Sequence, residues 1–281
     1  MKIIRSVRHM SAISEKLLRQ ARTTGFVPTM GALHEGHMSL IRRARRENER
    51  VVVSIFVNPT QFGAHEDFSR YPRDLAADAR LCRKAGVDFI FLPSAQQMYP
   101  AGYGTFVEAA DLGQRLCGAF RPGHFRGVAT VVTKLFNIVR PTVAYFGQKD
   151  AQQALIIRRI AADLNLAVKI RVMPIVREKD GLALSSRNRY LNLRERKSAV
   201  ALSQGIGEAK ALVNAGVRDA DVILRRVRHI VAAAKPSKID YITLVDASGL
   251  VPVKKIRGGA LLALAVWIGK TRLIDNAQLK G

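Results

Sequence analysis

Short apolar segments alternate with amphipathic segments through the first two thirds of the chain, and this alternation restricts its fold more than any other feature. The apolar runs, which we predict to be strands, are residues 25–28, 51–57, 87–92, 142–146 and 168–172. The helical patterns between them are residues 11–22, 37–49, 73–85, 127–139 and 151–164. Strands that alternate with helices of this length form β-α-β units. The sequence therefore predicts an α/β fold with a doubly wound parallel sheet, which binds ligands beyond the carboxyl ends of its strands.

The pattern changes after residue 174. Two helical stretches come first and three strand-like runs follow, at residues 194–214, 220–234, 239–245, 260–267 and 273–274. Helices followed by consecutive strands are typical of an α+β arrangement. We therefore predict two domains, in which residues 1–175 carry the parallel sheet and residues 176–281 form a smaller C-terminal α+β domain.

The chain is strongly basic, with 46 Lys and Arg residues against 22 Asp and Glu and a net charge of +24. Such a balance attracts polyanions, including nucleic acid, phosphorylated metabolites and anionic membranes. The basic residues are spread along the chain, and the densest cluster, at residues 42–46, lies on a predicted helix. We favour a solvated surface with a basic bias over a specific nucleic-acid site, and a nucleic-acid-binding protein stays open as an alternative.

The location of the protein is predicted from its apolar segments and its cysteines. The first 26 residues contain no continuous apolar signal segment, and the longest apolar run, at residues 260–268, is far shorter than the roughly 20 residues that span a membrane. Cys82 and Cys117 form no C-x-x-C pair, so neither a disulfide framework nor a structural zinc site is expected. We predict a cytoplasmic protein without a membrane partner.

A polar segment with two glycines follows the first strong strand and opens a helix: Pro28-Thr29-Met30-Gly31-Ala32-Leu33-His34-Glu35-Gly36-His37. Glycines leave out side chains where a backbone must approach a ligand closely. A helix N-terminus is a natural phosphate site, and His34 and His37 add donors for the same ligand. A zinc pair is a weaker alternative because H-E-x-x-H needs a four-residue spacing and no third ligand is evident. A pair of structural histidines also stays open.

Four later segments have polar or basic residues where they would lie near a ligand. They are Ser54-Ile55-Phe56-Val57-Asn58-Pro59-Thr60-Gln61-Phe62-Gly63, Arg121-Pro122-Gly123-His124-Phe125-Arg126-Gly127-Val128-Ala129-Thr130-Val131-Val132, Tyr145-Phe146-Gly147-Gln148-Lys149-Asp150-Ala151-Gln152-Gln153 and Gly181-Leu182-Ala183-Leu184-Ser185-Ser186-Arg187-Asn188. In the last, serine hydroxyls and an arginine fork suit phosphate oxygens. A plain turn with a helix cap would explain the same residues.

The segment His34-Glu35-Gly36-His37, placed after a strand of a doubly wound sheet, resembles the HIGH motif of the nucleotidylyltransferase superfamily. All five segments, in this order, resemble the pantothenate synthetase family from about residue 1 to residue 276. The resemblance implies a Rossmann-like sheet of the nucleotidylyltransferase type and an ATP-dependent condensation of (R)-pantoate with β-alanine. The products would be pantothenate, AMP and pyrophosphate, formed through an enzyme-bound pantoyl adenylate. ATP as substrate, Mg²⁺ and a homodimer are implied as well.

The resemblance also implies roles for individual residues. His34, His37 and Lys149 would be catalytic, with the imidazoles directed at phosphate oxygens and the lysine neutralising charge near the α-phosphate. The ATP-binding residues would be Met30, His34, His37, Asn58, Gly147, Lys149, Asp150, Ser185, Ser186 and Arg187. The pantoate-binding residues would be Gln61, Gln153, Val131 and Val132, since glutamine amides suit hydroxyls and a carboxylate. Arg121 would gather anionic substrate, and Asp78 is a weaker candidate for a magnesium contact.

Several alternatives to these roles stay open from the residues alone. Lys149 and Asp150 could form a surface pair, the two glutamines could be solvated, and Val131 with Val132 could belong to a helix core. Another adenylyl or nucleotidylyl transferase of the same superfamily is the alternative function. The C-terminal domain is expected to act as a lid, because a reactive acyl adenylate requires the exclusion of water.

Overall fold

The computed structural model describes residues 1–64 and 66–280, which divide into two compact units. The segments of the first unit are Met1–Gln114, Arg121–Gln148 and Gln153–Pro174, and those of the second are Arg115–Phe120, Lys149–Gln152 and the residues from Ile175 onward. The two short segments of the second unit depart from the sequence order on which the predicted domains, residues 1–175 and 176–281, depend. As a statement about separate domains, that division stays a prediction.

A six-stranded sheet organises the first unit. Its strands are β1 (Lys2–Ile4), β2 (Thr24–Thr29), β3 (Arg50–Ile55), β4 (Phe89–Phe91), β5 (Val143–Gly147) and β6 (Lys169–Met173). They lie in the order β1-β4-β3-β2-β5-β6, and each neighbouring pair is parallel. The predicted doubly wound parallel sheet is confirmed. Strand β1, which has three residues and pairs only with β4 at the sheet edge, was not predicted from the sequence.

Helices connect these strands in sequence order. They are α1 (Val7–Arg19), α2 (Glu35–Glu47), α3 (Leu75–Lys84), α4 (Ala95–Met98), α5 (Ala110–Gln114), α6 (Cys117–Phe120), α7 (His124–Val139) and α8 (Ala151–Asp163), of which α6 belongs to the second unit. In β3, the side chains of Val51, Val52 and Val53 are fully buried. Such a continuous apolar run is what a parallel strand needs when helices cover both faces of its sheet.

The strand order reverses between β2 and β5. The chain moves outward from β2 to β3 and β4, and later from β5 to β6 on the other side. The register pairs Gly25 with Val143 and Phe26 with Ala144, so the carboxyl ends of β2 and β5 face the same edge of the sheet. In doubly wound sheets, ligands bind in the crevice at this kind of switch point. A ligand site is therefore expected at the loops after β2, β3 and β5.

The second unit contains a three-stranded antiparallel sheet and, besides α6, three α-helices. The elements are α9 (Leu193–Ala199), α10 (Ala201–Asn214), α11 (Ala220–Ala233), β7 (Lys238–Asp246), β8 (Gly259–Ile268) and β9 (Thr271–Lys280), with strand order β7-β8-β9. The predicted α+β arrangement is confirmed. Its apolar core includes Leu202 on α10, Val227 on α11 and Leu262 on β8. Two details were wrong: the single helix predicted at residues 194–214 is two helices that meet at Val200, and β9 is ten residues long.

Along the described residues, no helix combines the length and the apolar character needed to cross a bilayer. Cys82 and Cys117 are both buried free thiols.

Candidate active site

The loop after β2 has an unusual backbone. Gly31 has φ +83° and Ala32 has φ +51°, so two consecutive residues adopt the left-handed conformation. The Thr29 hydroxyl accepts a hydrogen bond from the Gly31 N–H (3.1 Å) and donates one to the carbonyl of Ser54 on β3 (2.8 Å). A left-handed backbone is costly for a residue with a β-carbon, so other contacts must hold Ala32 in place.

Asp78, on the first turn of α3, supplies these contacts. Its Oδ2 accepts from the Ala32 N–H (3.0 Å), and its Oδ1 accepts from the Leu33 N–H (2.8 Å). The residue is only 3% exposed. A β-carbon at Gly31 would lie 3.0 Å from Oδ2, so the loop packs directly on the carboxylate and a side chain at this position would be strained.

The two histidines of the motif form the N-terminal cap of α2. The His34 Nδ1 accepts from the Gly36 N–H (3.2 Å), and the His37 Nδ1 accepts from the His34 N–H (3.4 Å). The ring centroids lie 4.1 Å apart, and both side chains are half-buried. In a neutral imidazole whose Nδ1 accepts a hydrogen bond, the proton lies on Nε2. The cap thus makes each Nε2 a donor at the N-terminus of a helix.

The loop after β3 is organised by Asn58, which is 1% exposed. Its Oδ1 accepts from the Tyr99 hydroxyl (2.8 Å) and the Thr60 hydroxyl (3.0 Å). Its Nδ2 donates to the Gln61 Oε1 (3.1 Å) and to the carbonyl of Gly127 (3.2 Å). Because both ends of this amide are engaged within the protein, Asn58 fixes the orientation of Gln61.

Gln61 joins the two loops. Its Nε2 donates to the Met30 sulfur at 3.2 Å, while its Oε1 accepts from Asn58. Three residues predicted to bind substrates, Met30, Asn58 and Gln61, are thus brought together by the structure. Asn58 is the buried support of this group, and its predicted ATP contact stays a prediction.

Arg121 lies in an ion pair and is directed at the same loop. Its guanidinium binds both carboxylate oxygens of Glu66 (2.6 and 2.5 Å), and its Nη1 lies 3.0 Å from the His124 Nε2. The His124 Nδ1 lies 2.8 Å from the carbonyl oxygen of Gln61. Burial raises the pKa of Glu66, but the hydrogen bond and charge of Arg121 outweigh it and hold this pKa below its ordinary value. The predicted anion-gathering role of Arg121 stays a prediction.

Helix α7 packs against the turn that carries Gln61. A β-carbon on Gly127 would lie 2.6 Å from the Thr60 carbonyl carbon and 2.7 Å from the Gln61 nitrogen. Further along α7, Val131 and Val132 are each 5% exposed and belong to the apolar core of the first unit. The alternative that these valines are core residues is therefore met, and their contact with pantoate stays a prediction.

Two more predicted residues lie near the end of β5 and the start of α8. Gly147 is the last residue of β5, at the switch point of the sheet, and is half-buried. Gln153 is half-buried in the first turn of α8. Gly147 lies at the carboxyl end of β5 and Gln153 follows it in the chain, at the edge of the sheet where a ligand of the crevice is expected.

Lys149 and Asp150 belong to the second unit. The Lys149 Nζ lies 3.8 Å from the Asp150 Oδ1, and the Lys149 carbonyl accepts a hydrogen bond from the Asn276 side chain (2.9 Å). The lysine side chain is 22% exposed and the aspartate side chain 48%. The ion pair considered as an alternative is present, and the separate contact from Asn276 anchors the Lys149 backbone.

Ser185, Ser186 and Arg187, also in the second unit, lie at a single helical turn. The Ser185 Oγ accepts from the Arg187 N–H (3.3 Å) and caps that turn. All three residues are half-buried. The next residue anchors the turn, since the Asn188 Nδ2 donates to Glu178 (2.7 Å) and to the carbonyl of Ala183 (3.0 Å).

Glu178 is itself fixed by charge. The Arg196 guanidinium donates to both of its carboxylate oxygens (3.1 and 2.7 Å). This hydrogen bonding holds the pKa of Glu178 below its ordinary value. The serine turn is therefore anchored, through Asn188, to a carboxylate that Arg196 holds in place.

The sequence did not predict the support that Tyr99, His124 and Gly127 give to the Gln61 loop, nor the contacts of Asp78 with the loop after β2. Only Gly127 had a readable signal, because a glycine within an amphipathic helix often marks a close packing contact. Among the residues that the structure describes, no group of three or more His, Cys, Asp or Glu side chains could hold a metal ion.

Known proteins that this chain resembles in sequence and others that it resembles in structure belong to one family. A family model described as pantoate-beta-alanine ligase matches residues 2–278. A pantothenate synthetase from Heliobacterium modesticaldum is 57% identical over 276 residues, and one from Fervidobacterium nodosum is 54% identical, each alignment covering 98% of both chains. The crystal structure of pantothenate synthetase from Thermus thermophilus is 43% identical, with a TM-score of 0.95 and complete coverage of both chains. A Francisella tularensis pantoate-beta-alanine ligase, complexed with beta-gamma ATP and beta-alanine, is 36% identical with a TM-score of 0.81, covering 99% of this chain and 97% of that one.

Proposed function

The chain belongs to the pantoate–β-alanine ligase family, and we propose that it condenses (R)-pantoate with β-alanine at the expense of ATP, through an enzyme-bound pantoyl adenylate. The observation that carries the proposal is the two-histidine cap of α2 at the switch point of the parallel sheet. It combines a helix N-terminus, two adjacent imidazoles and a Nδ1 contact to the backbone in each ring. This arrangement favours a triphosphate ligand.

The first step is the activation of a carboxylate, which does not react with an amine at neutral pH. A pantoate carboxylate oxygen attacks the α-phosphorus of ATP, and a new P–O bond forms. The bond from that phosphorus to the β-bridging oxygen breaks, and pyrophosphate leaves. Negative charge spreads over the phosphate oxygens in this transition state, so fixed donors and positive charge accelerate the step.

His34 and His37 are proposed to donate from Nε2 to these phosphate oxygens, because the backbone occupies each Nδ1. Lys149 is proposed to neutralise charge at the α-phosphate. On the same grounds of residue chemistry, Ser185, Ser186 and Arg187 would hold the β- and γ-phosphates. Further ATP contacts are proposed for Met30, Asn58, Gly147 and Asp150, of which Asp150 with the Gly147 backbone suits the ribose hydroxyls.

Gln61 and Gln153 are proposed to bind the hydroxyls and the carboxylate of pantoate. The fixed amide of Gln61 supports this role, because an oriented amide separates a donor from an acceptor. Val131 and Val132 are proposed to contact the gem-dimethyl carbons of pantoate from the core side of α7. Arg121 is proposed to favour anionic substrates through its charge.

In the second step, the amine of β-alanine attacks the acyl carbon of the adenylate. A C–N bond forms, the C–O bond to AMP breaks, and the amine loses a proton to solvent. No protein nucleophile is needed. Water would hydrolyse the same anhydride, and a lid formed by residues 176–281 stays our prediction for how water is excluded.

Magnesium bound to the ATP phosphates would supply positive charge, and we propose that the ion arrives with the nucleotide. Asp78 does not fit a direct metal contact, because it is 3% exposed and each of its oxygens accepts a backbone N–H. A homodimer and a cytoplasmic location are proposed on the family resemblance. Sedimentation of the purified protein would test the first, and localisation of the tagged protein would test the second.

The experiment that tests the function is pantoate-dependent exchange of pyrophosphate into ATP, measured with and without β-alanine. We expect exchange only when pantoate is present, and net formation of AMP and pantothenate when β-alanine is added. Exchange with a different acid but not with pantoate would indicate another adenylyl transferase of the superfamily. Sequence-selective DNA binding that survives physiological salt would favour the nucleic-acid alternative.

A further inference from the structure

The strongest unexplained feature of the first unit is the buried carboxylate of Asp78. It lies on the first turn of α3, where the helix dipole favours a negative charge. Its two oxygens each accept one backbone N–H, from consecutive residues of a single loop. Burying a carboxylate is costly unless hydrogen bonds compensate it. The loop N–H groups provide that compensation, so the loop and the carboxylate stabilise each other.

The backbone of this loop depends on the carboxylate. Ala32 has φ +51° although it carries a β-carbon, and its N–H and that of Leu33 converge on Asp78. Without an acceptor, the buried N–H of Ala32 and the partly buried N–H of Leu33 would lose their partner. The loop would then relax toward an ordinary right-handed conformation, and its C-terminal end would move. That end is His34.

The movement would reach both imidazoles. His34 is the N-cap of α2, and its own N–H is the donor to the His37 Nδ1 at 3.4 Å. Since His34 directly follows Leu33, the position of its N–H is set by the peptide that Asp78 holds. A shift of the loop therefore disturbs the contact that fixes the proton of His37, together with the orientation of both rings.

We propose that Asp78 is a positioning residue, which holds the left-handed loop and thereby orients His34 and His37 with Nε2 as the donor. The catalytic part of the proposal rests on the proposed function, since it assumes that the histidines contact ATP. Burial raises the pKa of Cys82, one turn further along α3, to about 12, and the charge of Asp78 adds to this rise. The thiol is therefore neutral and adds no second negative charge beside the carboxylate.

The first measurement uses the wild-type protein labelled with ¹⁵N and ¹³C. We expect scalar couplings across hydrogen bonds from the amides of Ala32 and Leu33 to the carboxyl carbon of Asp78. We also expect ¹⁵N shifts that report the Nε2–H form for both His34 and His37. Absence of the couplings overturns the proposal. Neither signal requires a substrate, so this arm is independent of the proposed function.

The second measurement compares Asp78→Asn with Asp74→Asn. The first variant keeps the side-chain size but presents an N–H donor to one of the two loop N–H groups. We expect kcat for pantoate-dependent exchange to fall about 100-fold, as for a loss of catalytic geometry, with little change in the KM for pantoate. We expect the ¹⁵N shifts of His34 and His37 to lose the pure Nε2–H signature.

Asp74 is a matched control, because it caps α3 by accepting from the Ala77 N–H at 2.9 Å and has no contact with the histidine loop among those described. Asp74→Asn should lose a similar cap contact while kcat and both imidazole shifts stay as in the wild type. A folded Asp78→Asn with wild-type kcat and shifts overturns the proposal. Should that variant fail to fold, the wild-type couplings decide alone. An inactive wild type with intact couplings would contradict the proposed function and leave the positioning of the histidines supported.

Discussion

The loops after β2 and β3 follow adjacent parallel strands, yet they are held in opposite ways. In the first, the backbone is the part that is fixed, because Asp78 accepts from two main-chain N–H groups. In the second, a side chain is fixed, because Asn58 bonds the amide of Gln61 while α7 packs against the turn. The first loop carries His34 and His37, which we propose stabilise the transition state, and the second carries Gln61, which we propose binds pantoate in the ground state. Substitutions in the first loop should therefore lower kcat, and substitutions in the second should raise the KM for pantoate.

The largest effect is expected in the first loop. His34→Ala and His37→Ala should each lower kcat by about 10²–10³, equivalent to about 2.7–4 kcal/mol of transition-state stabilisation. The cap contact is lost as well, which costs about 0.5–2 kcal/mol of folding stability. Steady-state kinetics and thermal unfolding measure the two effects separately.

His34→Asn separates them further, because asparagine is a good N-cap but lacks the imidazole Nε2. It should recover the folding stability and not kcat. His229→Ala, on the exposed side of α11, is the control and should change neither. Near-normal kcat in His34→Asn would show that the ring acts only as a cap.

Gly127→Ala is expected to have the next largest effect, on the second loop. The new β-carbon would lie 2.6 Å from the Thr60 carbonyl carbon, so α7 or the turn must move. Overpacking of this kind costs about 1–3 kcal/mol of folding stability. The KM for pantoate should rise with it, because the turn carries Gln61.

Gly207→Ala is the matched control, since Gly207 is exposed within α10 and a β-carbon there meets nothing within 4 Å. It should raise the free energy of unfolding by up to about 1 kcal/mol through helix propensity. If denaturant melts gave the same sign for both variants, the close packing of α7 on the turn would be wrong.

Gln61→Ala should raise the KM for pantoate by up to about tenfold, the loss of a neutral hydrogen bond worth about 0.5–1.5 kcal/mol. The KM for ATP and the kcat of this variant should differ much less from the wild-type values. Calorimetric titration with each ligand checks the split, and Gln204→Ala, at an exposed site on α10, is the control. A loss confined to ATP would remove the functional distinction between the two loops.

The smallest expected effect is on folding stability at acidic pH. The pKa of Glu66 lies below 4.5 because Arg121 outweighs the effect of burial. Its ion pair therefore adds stability above pH 4.5, and this stability is lost as the pH falls through the lowered pKa. An ion pair of this exposure is worth about 1 kcal/mol or less.

Glu66→Gln should accordingly be less stable than the wild type near neutral pH, and the gap should close below pH 4.5. Denaturant melts across this range measure it. Glu15→Gln removes an exposed pair with Arg19 on α1 and serves as the control, with a smaller gap throughout. A gap that persisted in acid would mean that the Arg121 contact is not responsible.

The parallel sheet could be predicted from the sequence because its central strands are continuous apolar runs. Residues 51–53 form a continuous valine run, and only burial on both faces explains such a run. The sequence predicts β9 only at residues 273–274, because the residues that follow, Asp275 and Asn276, are poor strand formers. In the structure Asp275 is buried and bonded by Arg177 at 2.7 and 2.9 Å, so a tertiary contact overrides local propensity.

In the candidate site, too, features set by the local sequence could be predicted and features set by tertiary contacts could not. The motif at His34 and His37 could be read from spacing, since a helix N-terminus is a local feature. The contacts of Asp78 could not, because a single carboxylate on an amphipathic helix looks like a surface group or a metal ligand until the loop 45 residues earlier is placed on it. Asn58 posed the same difficulty, since its partners Tyr99 and Gly127 are distant in sequence.

The pairing of β2 with β5 also has a consequence for how the chain folds. Gly25 pairs with Val143. Strand β5 therefore cannot complete the crevice beside β2 until well over a hundred further residues have been synthesised. Pairings of such long sequence separation close late and slowly, because the loop entropy must be overcome before the contacts form. On the ribosome, the histidine cap can form early, since α2 follows β2 directly, whereas the edge that faces β5 stays exposed. During that interval the unpaired edge of the nascent sheet is exposed to non-native contacts.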